Sequence, residues 1–143
     1  MKARFEILNE TYVKKLQIEA RIIGDICLSH VIPAAVRYQN ILIENVKGIK
    51  EIFADDYVRY CSSELETLKK ISQFINDISA DVELLVEARK KANRIEDIAE
   101  RAKVYSHSVK DMMDKVRESA DNLEMLIDNE MWPLPKYREL LFF

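Results

Sequence analysis

Glycine and proline are nearly missing: the chain has two of the first and three of the second in 143 residues. Little can punctuate turns or interrupt helices, so long unbroken helices are favoured. Two isolated glycines, Gly24 and Gly48, cannot build a Gly-rich phosphate loop. Cysteine is as scarce, and Cys27 and Cys61 suit neither a disulfide framework nor a metal site. If the chain turns back near Ala54, a helical rise of 1.5 Å per residue separates the two by roughly 30 Å. Both are expected as free thiols. Basic charge is not in excess either. With 22 basic and 25 acidic residues the net charge is -3 and the pI about 5.5, against the basic face of a nucleic-acid binder. No apolar run reads as long enough to cross a bilayer, and residues 1–20 lack the apolar segment of a signal peptide. The expected location is the cytoplasm, without membrane or nucleic-acid partners. The opening Met1-Lys2-Ala3-Arg4-Phe5-Glu6 has no obvious domain start and reads as a cut made inside a longer protein.

What is abundant is apolar spacing at alternating threes and fours, within an overall apolar content of 48%. Leu68, Ile71, Ile75, Ile78, Val82 and Leu85 make one run. Ile98, Ala102, Tyr105, Val109, Met112, Val116, Ser119, Leu123 and Leu126 make another. A period of about 3.5 residues draws a single stripe down a helix, and a stripe that apolar must be covered. An earlier run, Val13, Leu16, Ala20, Ile23 and Cys27, changes phase after Cys27 into Val31, Ala35, Tyr38, Leu42, Asn45, Ile49 and Ile52. The extra four is a stutter, and Pro33 beside it removes a hydrogen bond to Ser29, so a kink is predicted near Pro33.

The spacing is lost over Phe53-Ala54-Asp55-Asp56, which places a first turn at about 53–62. The next helix starts at Asp56 or at Ser63, where Ser63 and Glu66 stand at capping-box spacing. Arg89, Lys90, Lys91 and Arg94 suit a helix C-terminus, Glu96 and Asp97 suit a new N-terminus, and Asn93 suits a left-handed end. A second turn is therefore predicted at 92–96, against a single rod of about 70 residues. The expected fold is all-α: an antiparallel up-down-up coiled-coil-like bundle of three long helices, about 10–52, 57–92 and 96–129. Residues 1–130 form the bundle and 131–143 an extended tail. The i,i+4 pairs Glu66 with Lys70, Glu87 with Lys91 and Asp111 with Lys115 are read as a solvated surface.

Catalytic constellations are poorly supported. Neither histidine has a glutamate three positions before it, as an inward-facing di-metal bundle site requires. Cys27 and His30 make one weak pair; His30 reads as packed beside the Pro33 kink, and His107 as exposed. Asp55 and Asp56 read as helix caps rather than paired acids. Ser29 with His30, and Ser106 with His107, lack a third group and a nucleophile's turn. Met112, Met113, Met125 and Met131 read as core rather than an adaptable groove.

The tail differs. Two prolines forbid helix there, and Trp132, Pro133, Leu134, Pro135, Tyr137, Arg138, Leu141 and Phe142 belong to a largely apolar segment expected to dock, on its own bundle or on a neighbouring surface. The run Trp132-Pro133-Leu134-Pro135-Lys136-Tyr137-Arg138-Glu139-Leu140-Leu141-Phe142 resembles the C-terminus of the type III glutamine synthetases. Ile32-Pro33-Ala34 with Arg37-Tyr38-Gln39, and Glu87-Ala88-Arg89-Lys90-Lys91-Ala92, also resemble that family. The resemblance implies a parent ATP-dependent glutamate–ammonia ligase that uses Mg or Mn and assembles as a homo-oligomer. It also implies that this chain is the C-terminal helical domain, without catalytic, cofactor or metal residues of its own. Its partners would be the catalytic region and sister subunits of the parent. The rival expectation is an independent helical adaptor that binds a partner helix along the stripe.

Overall fold

In a computed structural model, residues 2–133 are described. Among them every regular element is helical, so the all-α class holds. Helix α1 (Lys2–Ile26) passes through a π turn (Cys27–Val31) into α2 (Ile32–Phe53), and a 3-10 turn (Ala54–Asp56) leads to α3 (Tyr57–Asn93). After residues 94–97, α4 (Ile98–Val104) passes through a second π turn (Tyr105–Val109) into α5 (Lys110–Leu126). The first helix starts well before Glu10, at which the apolar spacing becomes regular.

The stripes are the core. Val13, Leu16, Ala20 and Cys27 from the first stretch are buried with Ile71, Ile78, Val82 and Leu85 from α3 and with Ala102, Tyr105, Val109, Val116 and Leu123 from the third. Helix α3 packs against both α2 and α5, and α1 against α4 and α5. Gln39 Nε2 donates to Ser72 Oγ, and Gly24 faces Val82 Cγ1, so contacts between the first stretch and α3 converge on the Ala54 turn.

Both π turns sit where two fours follow each other. A π turn carries one residue more than an α turn, so Cys27, Val31 and Ala35 stay on one face, as do Tyr105, Val109 and Met113. The second case corrects the reading of the third stripe: Met113 is buried and Met112 only half-buried.

Several local expectations are also corrected. Helix α3 starts at Tyr57 and is kinked just before Ser63, which does not cap; its carbonyl accepts a hydrogen bond from Thr67 Oγ1. The irregularity lies at Cys61, with φ −134° and ψ 26°, whose thiol donates to the Tyr57 carbonyl. Asp55 and Asp56 make no side-chain cap; Asp56 pairs with Arg59 at 3.7 Å on the surface. Asn93 is not left-handed. Among the described residues the one non-glycine with positive φ is Ala54, at 51°. The three anticipated i,i+4 pairs do not close; the ion pairs seen among the described residues are i,i+3 and exposed, such as Glu44 with Lys47 and Asp114 with Arg117. Finally, one window in the helical run Ala3–Asn93 does reach the length and mean hydropathy (1.2) of a membrane span, with 22% of it buried. By length and composition alone that corrects the reading that no stretch was long enough.

Candidate functional site

The tail was the expected site, and its start is built by Asp128. Helix α5 gives way at Ile127, where ψ swings to 144° while its amide still reaches the Leu123 carbonyl. Asp128 then accepts three times: Oδ1 from the Glu130 amide at 2.9 Å, and its carbonyl from the amides of Met131 and Trp132. A side chain that bonds its own backbone two residues on sets a tight turn. The chain folds back, and Trp132 lands on the bundle core, 8% exposed, with Met131 half-buried against the same cluster. Pro133 is exposed. Leu134, Pro135, Tyr137, Arg138, Leu141 and Phe142 lie outside the described residues.

The other candidates do not come together. His30 is exposed rather than packed beside Pro33, because it sits on the outer face of the first π turn, and His107 is exposed on the second. Cys27 and Cys61 are both buried free thiols, and burial pushes the Cys27 thiol up to about 11. Among the described residues no three His, Cys, Asp or Glu side chains converge to hold a metal ion.

Two features were missed. The first is Tyr105, a fully buried phenol whose hydroxyl donates to Asn93 Oδ1. Burial raises its pKa, opposed by the charges of Arg89, Arg101 and Arg21. Arg101 donates Nε and Nη2 to the Ile95 carbonyl and ties down the linker between α3 and α4. The sequence held a signal for Arg89, which stands four after Leu85 and three before Ala92, at a stripe position where an arginine is out of place. The second is the tip where α2 meets α3. Ile52, Phe53, Val58 and Tyr60 are exposed there, with Phe53 and Tyr60 stacked at 4.0 Å.

Comparison with known proteins agrees with the resemblance of the tail. Residues 1–50 match the family described as the glutamine synthetase C-terminal domain. A glutamine synthetase of Bacteroides fragilis is 44% identical over 140 residues, covering 97% of this chain and 19% of that protein. A type-3 glutamine synthetase of Dictyostelium discoideum is 29% identical over 99% of this chain and 20% of its own length. A glutamine synthetase of Butyrivibrio fibrisolvens is 29% identical over 98% of this chain and 20% of its own length. The chain thus spans about a fifth of the length of these relatives. By sequence, this chain corresponds to the C-terminal domain of glutamine synthetases.

Proposed function

We propose that the chain is the non-catalytic, assembly-promoting C-terminal domain of a type III glutamine synthetase, whose parent makes glutamine from glutamate, ammonia and ATP with Mg or Mn. The observation that carries this reading is a 44% identity running along 97% of the chain yet touching only 19% of the relative. The ligase chemistry, in this reading, belongs to the remaining four-fifths of such a parent. In this reading the three helical stretches form an up-down-up bundle, kinked near Pro33, in the cytoplasm. Residues 131–143 dock on the catalytic region or on a sister subunit, with Trp132 as the hinge held to the bundle. The exposed Ile52, Phe53, Val58 and Tyr60 at the tip where α2 meets α3 add a second apolar surface available to those partners.

An independent adaptor taking a partner helix along the stripe is the weaker reading. It needs Ile71, Ile78, Val82 and Leu85 open, and all four are buried in the bundle itself. The test is to truncate the full-length parent before Trp132 and measure its mass in solution and its glutamine synthesis. Dissociation into smaller species supports the assembly role; unchanged mass and activity remove it.

A further inference from the structure

Arg89 points inward from α3, and its Nη1 is buried without a hydrogen-bond partner. A charged donor left so keeps its full desolvation penalty, which makes the arrangement costly unless an acceptor arrives. Arg89 lines a pocket of about 90 Å³ between α1 and α3, whose walls are mostly apolar, with Val82, Leu85 and Val86 among them, and whose other charged residues are Arg21 and Asp25. That is room for a group the size of a carboxylate or phosphate. Arg21 is exposed at the rim and makes no ion pair among the described residues, although Asp25 lines the same pocket. Arg101 is not part of this pocket: its guanidinium is held by the Ile95 carbonyl. Two cations from two helices, Arg21 and Arg89, therefore face one pocket in a chain whose net charge is -3.

We infer that Arg89 and Arg21 form a binding site for a compact oxyanion, a carboxylate or a phosphate group, between α1 and α3. The planar guanidinium of Arg89 supplies paired N–H donors from the closed side, and Arg21 closes over the anion from the rim. Asp25 opposes the anion by like charge. The inference does not depend on the assembly role, since the pocket lies within this chain.

The test is titration calorimetry of the 143-residue chain with inorganic phosphate and, separately, with acetate, both at constant ionic strength. The expected result is one saturable site, weakened about tenfold or more in Arg89→Gln and in Arg21→Gln, since each removes a charge-assisted hydrogen bond. Asp25→Asn tightens it. Whichever anion binds more tightly identifies the class, phosphate or carboxylate. Circular dichroism checks that each variant is folded, and if Arg89→Gln is not, the exposed Arg21→Gln decides. No saturable heat from either anion, or the same affinity in Arg21→Gln as in the wild type, overturns the site.

Discussion

The Tyr105 hydroxyl donates to Asn93 Oδ1 at 2.6 Å, tying the second π turn to the last residue of α3 across the linker that joins them. The phenol is fully buried, so this bond satisfies a polar group that water cannot reach. Tyr105→Phe keeps the ring and removes the bond, leaving Asn93, which is solvent-exposed, free to turn to water. The expected loss is about 0.5–1.5 kcal/mol by urea denaturation. Tyr105→Ala also empties the ring's volume and should cost about 3–5 kcal/mol. A Tyr105→Phe variant as damaged as Tyr105→Ala would mean that the bond, not the ring, organises this junction.

Alkaline pH should weaken the fold through Cys27. Burial raises its thiol from 9.0 to about 11, so the folded chain favours the neutral form while the unfolded thiol ionises first. The stability this represents is complete below pH 9 and is lost as the pH climbs to 11. The loss amounts to at most about 2–3 kcal/mol. Tyr105, also raised by burial, adds a loss of the same sign beginning near 10. Urea midpoints measured every half pH unit from 8 to about 11 should fall steadily in the wild type and less steeply in Cys27→Ala. Parallel slopes in the two proteins would refute the assignment to Cys27.

The helical class and most of the inner face could be read from spacing alone, because burial of a stripe leaves little freedom: Ile71, Ile78, Val82 and Leu85 are buried as their period requires. Spacing could not tell a supercoil stutter from a π turn, since both present consecutive fours, and that ambiguity moved the third stripe from Met113 to Met112. Arg89 was legible as an oddity but not as a pocket wall, because the pocket exists only once α1 lies beside α3. Trp132 was legible as a residue that must dock, while the turn that delivers it rests on one side chain, Asp128, whose role depends on where α5 stops.

Backbone strain is concentrated at Ala54. Its φ of 51° with ψ of −125° is a conformation that the Cβ of an L residue resists and glycine does not. The position is exposed, so the side chain contributes little packing in return. Ala54→Gly should raise stability by about 1 kcal/mol, the released strain outweighing the greater freedom of glycine in the unfolded chain. A lower urea midpoint in Ala54→Gly would show that the turn is not held in this geometry.

The π turns make a sharper prediction, because they locate a residue that the helix can lose. Within Tyr105–Val109 one residue is surplus to an α-helical phase, and His107 is exposed there. Deleting His107 lets the segment close as ordinary α-helix, with Tyr105 and Val109 now three apart instead of four and still on one face, so stability should change by no more than about 1 kcal/mol. Lys115 is just as exposed but lies inside α5, where no residue is surplus. Deleting it rotates everything downstream by about 100° and carries Val116 and Leu123 off the core. Both are fully buried, and losing their burial should cost about 3–6 kcal/mol, enough to unfold the end of the bundle. Circular dichroism melts of the two deletions side by side decide the matter: equal damage would mean that the turn at Tyr105–Val109 carries no extra residue and that the shift from Met112 to Met113 has another cause.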